Sequence, residues 1–305
     1  MQRSPSGIYA LLVLVFAFWG GGMVAMKFAL ESFSIIHVVF ARVGIAAVFY
    51  LCALRVWRSF PYQKGDWKYF VILVAFEPCL LFICETSSLA YTSASQAGVI
   101  AACFPLTTAL AAWIFLSERM SGKAIAGMIL AVIGVAGASY FAQAADSAPA
   151  PLLGNSLMGL AVLSSTGYAI CVRFISQRYS FFTISAIQAI GGSLAFLPLL
   201  FFADLPGQVQ AEAIGGILYL GVGVGIFAYL GFNYALEKLP AGQVALFGNL
   251  IPLFTLFFAF TILKERLTVP QTGFVVLALA GLVWAALPDT KTKEGALTAH
   301  KPLEG

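Results

Sequence analysis

Charged side chains are scarce in this chain. Lys, Arg, Asp and Glu make up 10% of its 305 residues, whereas soluble domains contain about 25%. Apolar residues contribute 61%, and the mean hydropathy is +0.93. A soluble core cannot bury this much apolar side chain, so the composition predicts an integral membrane protein whose main surroundings are the lipid bilayer.

Catalytic, nucleotide-binding and metal-binding motifs are also missing. The sequence has no Gly-x4-Gly-Lys-Ser/Thr phosphate loop, no His-Glu-x2-His and no Gly-x-Ser-x-Gly elbow. Its two histidines, His37 and His300, are far apart and form no pair for a metal. The five cysteines all lie in apolar runs, which favours free thiols over a disulfide framework. We therefore expect no enzyme activity, no metal, no cofactor and no nucleic-acid partner.

Long apolar runs are abundant, and each is near the 20 residues that a membrane-spanning helix requires. They predict an all-α membrane protein with ten transmembrane helices, at residues 8–30, 34–57, 68–91, 94–116, 122–142, 154–179, 181–203, 211–237, 241–263 and 269–287. Most breaks are short, so successive helices should be antiparallel. The longest break, 144–155, should join two halves, and the polar segment 288–305 should be a disordered cytoplasmic tail.

One stretch of the chain occurs twice. Residues 94–137 align without a gap on residues 241–284, and 12 of the 44 positions are identical. The matched pairs include Gln96/Gln243, Pro105/Pro252, Thr108/Thr255, Leu116/Leu263, Glu118/Glu265, Arg119/Arg266, Ala131/Ala278 and Gly134/Gly281. Matches of Leu or Ala arise easily by chance in apolar segments, but a repeated Glu-Arg at a fixed distance from a proline does not. The repeat indicates two related halves.

Each half should contain five helices, 8–142 and 154–287. Because five is odd, the second half enters the membrane in the opposite direction, and the repeat is inverted. Inverted repeats are typical of secondary transporters, whose substrate site lies near the midplane between the halves. With the N-terminus in the cytoplasm, thirteen Lys and Arg residues fall on the inner side, two on the outer side and two within helices. This bias predicts that both termini are cytoplasmic.

Two five-helix halves, each with Pro-x12-Glu-Arg followed by a Gly-containing helix, resemble the EamA-type transporters of the drug/metabolite transporter superfamily. Trp19-Gly20-Gly21-Gly22…Lys27 and Arg42 also fit that pattern. The resemblance covers residues 8–287, and within the superfamily the chain is similar to the bacterial YddG-type amino acid exporters. The resemblance implies ten transmembrane helices, a bacterial inner-membrane location, and export of small metabolites, here amino acids, by alternating access. We expect a monomer to be functional.

Lys27, Arg42, Glu77 and Glu85 are charged residues inside predicted helices. From their positions along the helices, Lys27, Arg42 and Glu85 should lie at similar depths near the outer side and form a structural ion cluster. Glu77 should lie near mid-membrane, with no cation at its level. Buried acids at that depth usually mark pathways or paired networks. Glu77 therefore either binds a substrate ammonium group or a proton, or braces a neighbouring helix.

Proline and scattered polar residues complete the candidate pathway. Pro105 and Pro252 should kink two helices near the midplane, either as hinges or as static kinks. Each of several polar or aromatic residues at helix depth should either line a cavity or join two helices by a hydrogen bond. These are Trp19, Tyr168, Gln188, Tyr229, Asn233, Gln243 and Asn249.

Three function classes compete for such a chain. A transporter accounts for the inverted repeat and the mid-membrane prolines. A lipid-modifying enzyme requires a catalytic dyad or metal ligands at one membrane face, and a receptor or scaffold would normally add a soluble domain; neither feature is present in the sequence. The sequence therefore favours a transporter, and the family resemblance implies amino acids as its cargo, with other small solutes or drugs as the alternative.

Overall fold

A computed structural model describes residues 5–57, 62–116, 122–141, 148–203, 206–239, 244–245 and 247–286. Within these ranges the protein is all-helical. The main helices are α1 (Pro5–Leu30), α2 (Ile35–Cys52), α3 (Trp67–Tyr91), α4 (Ala94–Ala101), α5 (Phe104–Leu116), α6 (Gly122–Tyr140), α7 (Pro151–Ile175), α8 (Phe181–Phe196), α9 (Ala211–Lys238), α10 (Leu250–Thr261) and α11 (Val269–Ala286). A short helix, Leu54–Trp57, follows α2, and a 3-10 segment, Leu197–Phe202, extends α8.

The predicted membrane-spanning character is confirmed. Seven apolar helices are long enough to cross a bilayer, counting α4 and α5 as one span, and three shorter apolar helices accompany them in the described part of the chain. Many outward-facing side chains of these helices are large and apolar, as lipid contact requires. A total of ten spanning helices remains a prediction. The proposed tail, 288–305, and residues 144–147 of the link between the halves lie outside the described residues, while the rest of the link is described and α7 begins within it at Pro151.

Two long helices change their winding at matching places. In α3, the π-helical stretch Ala75–Leu80 contains a kink between two helical pieces, and in α9 the π-helical stretch is Tyr219–Ala228. Shifting the first segment by the 147-residue repeat places it inside the second. Within the α3 segment, Glu77 has non-helical torsion angles (φ −146°, ψ 114°), and its peptide bond to Pro78 is cis. Short π segments in helices frequently occur at functional sites.

The two predicted kinks are breaks just before a proline. The chain turns at Ala102–Cys103 between α4 and α5, and Pro105 is the second residue of α5. A 3-10 turn, Phe247–Asn249, precedes α10, in which Pro252 is the third residue. Proline fits the first turn of a helix because its missing N–H would have no partner there. A Cβ atom at Gly248 would lie 3.2 Å from both Phe104 and Pro105, so the two breaks lie side by side.

Helices of each half pack on helices of the other half, and the main contacts have counterparts in which the two halves exchange roles. Helix α1 packs on α9 and α10, and α7 packs on α3 and α5. Helix α2 packs on α8, and α6 packs along α11. In that last pair, Gly134 lies against Ala278, and Gly281 lies against Ala131. Small residues at these positions let the two backbones approach closely.

Gly281→Ala should destabilise the protein. A methyl group at this position would lie 2.7 Å from both the Ala131 nitrogen and the Gly127 oxygen, which are backbone atoms that cannot simply rotate away. We expect a loss of about 1–3 kcal/mol, seen as a lower melting temperature of the purified protein. Gly273→Ala is the matched control on α11, since nothing lies within 4 Å of its added methyl group. Equal melting temperatures for the two variants would contradict this packing.

Candidate functional site

A central cavity of about 60 Å³ lies between the halves. Among the described residues that line it, Arg42, Glu77 and Glu85 are charged, and Ser165 and Tyr229 are polar. Apolar and aromatic side chains make up much of the remaining wall, including Trp19, Met23, Leu81, Phe104, Met158 and Ile251. The lining therefore comes from both halves of the chain.

Glu77 is a buried carboxylate whose two oxygens are held unequally by the described residues. Its side chain is only 2% exposed, and the hydroxyl of Tyr229 donates a hydrogen bond to Oε1. The other oxygen, Oε2, is buried and has no hydrogen-bond partner among the described residues, although Ser165 lies near the carboxyl group. A buried carboxylate oxygen without a partner is costly. It is therefore available to a donor that enters the cavity.

Arg42 and Glu85 form a buried ion pair. Nη1 of Arg42 donates to Oε2 of Glu85 at 2.8 Å. The same nitrogen lies 3.3 Å from the sulfur of Met26, and the guanidinium group stacks 3.8 Å from the centre of the Phe82 ring. Flat stacking on an aromatic ring favours a guanidinium over an ammonium group. This pair fixes the position of α2 relative to α3.

Arg42 is near enough to interact electrostatically with Glu77 as well as with Glu85, and all three line one cavity. A straight α3 with a constant rise predicts no cation at the level of Glu77, but α3 is kinked within Ala75–Leu80, so residue depths do not follow from a constant rise. Lys27 is not among the residues of the cavity wall, and it interacts electrostatically with Glu265.

Five of the sequence-predicted pathway residues form one cluster beside Glu77. The ring of Tyr229 meets Trp19 and Tyr168 edge to face, at 5.6 and 6.3 Å between centroids. The hydroxyl of Tyr168 lies 2.7 Å from Oε1 of Gln188 and 2.9 Å from Oδ1 of Asn233, and it donates its single proton to one of them at a time. These contacts link α1, α7, α8 and α9.

The other two predicted pathway residues are Asn249 and Gln243. Asn249 is at the start of α10, and its Oδ1 is buried without a hydrogen-bond partner in the described part of the chain. Gln243 lies outside the described residues. Ser185 was missed by sequence reasoning, yet its hydroxyl accepts a hydrogen bond of 2.8 Å from Nδ2 of Asn233. A serine in an apolar helix gives no distinctive sequence signal.

Polar contacts join the two halves at the end of the bundle near Tyr91. The carboxylate of Glu265 accepts hydrogen bonds from the backbone nitrogens of Ala94 (3.0 Å) and Ser95 (2.9 Å). A carboxylate is stabilised at a helix N-terminus because several N–H groups there lack partners. Nearby, Asn155 accepts from Thr92 at 2.7 Å and donates to Gln96 at 2.6 Å. Glu118, the repeat partner of Glu265, lies outside the described residues.

A second set of contacts joins the halves at the opposite end, near Asp66. The buried carboxylate of Asp66 accepts from Arg178 at 3.1 Å and from the hydroxyl of Tyr179 at 2.7 Å. The backbone nitrogen of Gln63 donates to the hydroxyl of Tyr179 at 3.2 Å. The central cavity therefore lies between two groups of contacts that hold the halves together at both ends.

Comparison with known proteins gives consistent results. The model of the EamA-like transporter family matches the chain twice, over residues 6–140 and 152–287. An uncharacterized transporter of Bacillus subtilis, YetK, is 26% identical over 87% of this chain and 82% of its own length. Another uncharacterized transporter from the same organism, YcxC, is 26% identical over 98% of this chain and 99% of its own length. The protein PagO of Salmonella typhimurium is 24% identical over 81% of this chain and 82% of its own length.

A solved crystal structure shares the fold. It superimposes with a TM-score of 0.66 over 93% of this chain and 97% of its own, at 15% sequence identity. The family model covers nearly the whole sequence, and each of its two matches corresponds to one set of helices described above. The chain therefore belongs to the EamA-like transporter family and is a multi-pass membrane transporter.

Proposed function

We propose that this protein is a secondary-active exporter of amino acids and related small metabolites in the bacterial inner membrane. On this proposal it works by alternating access around the central cavity and is functionally similar to the YddG-type exporters. Because the cavity is formed within one chain, a monomer suffices for transport. Both termini lie in the cytoplasm, as the distribution of Lys and Arg indicates.

The unpartnered Oε2 of Glu77 is the observation that carries this proposal. It lies in a small, mostly apolar cavity, where an ammonium group would complete its hydrogen bonding and neutralise its charge. The apolar wall suits the side chain of an amino acid. No lysine lines the cavity among the described residues, and its one arginine is already paired with Glu85. A phosphate or other polyanion would therefore find no adequate partner.

An inverted repeat with ten spanning helices, in halves of residues 8–142 and 154–287, is part of the proposal. The reciprocal contacts Gly134–Ala278 and Gly281–Ala131 support it, because repeat-equivalent residues exchange roles across an axis of pseudo-two-fold symmetry. The matching π segments of α3 and α9, and the adjoining breaks at Pro105 and Pro252, support it independently.

Alternating access requires that the contacts at the two ends of the bundle separate in turn. With cytoplasmic termini, the Glu265 contacts lie on the outer side and the Asp66 contacts on the inner side. Opening the outer side would release the Ala94 and Ser95 amides from Glu265, while opening the inner side would separate Asp66 from Arg178. Pro105 and Pro252 are the proposed hinges, since helical hydrogen bonding is already interrupted beside them.

Efflux from proteoliposomes tests the function directly. Liposomes containing the purified protein, loaded in turn with each member of an amino acid panel, should release several of them faster than protein-free liposomes do. Glucose 6-phosphate should leave both preparations at the same rate, because the cavity offers no anion site. Release of the sugar phosphate but of no amino acid would contradict the proposal, and selective release of another neutral solute would replace amino acids as the cargo.

A further inference from the structure

We propose that the cavity recognises its substrate through a cationic amine and does not require a carboxylate. The ligand class is then monocationic amines with an apolar body, including amino acids whose carboxyl group is blocked or removed. This inference rests on the proposed function only in taking the central cavity as the transport site. It narrows the substrate to compounds that carry a protonated amino group.

The charges of the cavity wall are the first reason. Its described lining contains one cation, Arg42, and two acids, Glu77 and Glu85. With both acids ionised, the formal charges sum to −1. A bound monocation brings the site to neutrality, whereas a zwitterion leaves the sum at −1 and a carboxylate without an amine makes it −2. In surroundings of low dielectric constant, such differences dominate selectivity.

The hydrogen bonding of the charged groups is the second reason. Glu77 has a buried oxygen, Oε2, with no partner in the described part of the chain, so an ammonium donor gains an unoccupied acceptor. Arg42 is already occupied, because Nη1 donates to Glu85 and the guanidinium group stacks on Phe82. Nε of Arg42 has no hydrogen-bond partner among the described residues. It is nevertheless a weak site for an anion, because the charge of Arg42 is neutralised by Glu85 and two carboxylates lie nearby.

The remaining wall is the third reason. Met23, Leu81, Met158, Val162 and Ile251 present apolar surface to the cavity, and the rings of Trp19 and Tyr229 lie beside Glu77. Aromatic faces attract ammonium groups and offer nothing comparable to a carboxylate. Removing the carboxylate from an amino acid therefore costs few contacts with the protein and avoids the cost of desolvating an anion.

The contributions of the amino group and the carboxylate to binding can be compared with four compounds that have a similar apolar body. These are leucine, leucinamide, isopentylamine and 4-methylpentanoate. Their binding is measured in detergent as the concentration dependence of the melting temperature, which avoids passive leakage of amines across liposomes. We expect leucinamide and isopentylamine to bind wild type at least as tightly as leucine does. The acid 4-methylpentanoate should bind at least about 10-fold more weakly, because it lacks the charge-assisted contact. Glu77→Gln should lose binding of both amines.

The outcomes also separate this inference from the proposed function. Binding of leucine and 4-methylpentanoate without binding of isopentylamine would overturn the inference and leave amino acid transport intact. Binding of the amines but not of leucine would support the inference and exclude leucine as cargo. Equal binding of the amines by wild type and Glu77→Gln would overturn the assigned site. If none of the four compounds shifts the melting temperature at millimolar concentration, the inference is wrong.

Discussion

Glu77→Gln should reduce amino acid efflux about 10- to 100-fold while leaving the protein folded. This range corresponds to the loss of a charge-assisted hydrogen bond. The substituted amide keeps the size of the side chain and an oxygen that can accept the Tyr229 hydrogen bond. It removes the charge that an ammonium group would meet at Oε2. Removing a buried charge without altering packing should not lower the melting temperature.

This prediction is checked by measuring the melting temperature and the efflux rate on one preparation. Glu31→Gln is the matched control, because Glu31 is exposed in the turn after α1 and lies outside the cavity wall. If Glu77 only braces α9 through Tyr229, the weaker hydrogen bond from Tyr229 to a neutral amide should lower the melting temperature, and the variant should retain its efflux per folded molecule. That combination would contradict a role for Glu77 in substrate binding.

Arg42→Met should be among the most destabilising single substitutions in the chain. It leaves Glu85, and Glu77 in the same cavity wall, without the one cation of the described lining. Breaking one side of a buried ion pair costs about 3–5 kcal/mol. We therefore expect a large fall in melting temperature and in the yield of folded protein, measured by fluorescence-detected size exclusion during heating.

The double variant Arg42→Met/Glu85→Gln should recover most of that stability, because the carboxylate stranded by the first change is gone. Lys64→Met removes a positive charge from an exposed position and serves as the control for net charge. A double variant as unstable as Arg42→Met alone would show that the ion pair is not the cause. An Arg42→Met protein as stable as wild type would show that the ion pair does not contribute to stability.

Much of the fold follows from local properties of the sequence. The hydropathy of the runs predicts where the helices lie, and the repeated Pro-x12-Glu-Arg predicts two related halves. Contacts between distant segments were not predictable. Glu77 and Tyr229 are 152 residues apart, and Glu265 reaches the amides of Ala94 and Ser95 across 171 and 170 residues. Such pairings depend on how the helices pack, which helix periodicity does not encode.

The candidate site was predictable by residue type but not by arrangement. Trp19, Tyr168, Gln188, Tyr229 and Asn233 were identified because polar and aromatic groups within apolar helices need partners. Their assembly beside Glu77 emerges only from the packing of α1, α7, α8 and α9. The proximity of Arg42 to Glu77 does not follow from straight-helix geometry, because α3 is kinked within Ala75–Leu80.

Counterflow is the most direct test of a single central site that is exposed to one side of the membrane at a time. Proteoliposomes are loaded with a high concentration of an unlabelled amino acid, such as leucine, and diluted into a trace of the same compound in labelled form. A carrier should accumulate the label transiently above its equilibrium level, because the site returns inward occupied by labelled substrate. A smooth rise to equilibrium without an overshoot, from protein shown to be folded and to transport leucine, would contradict alternating access.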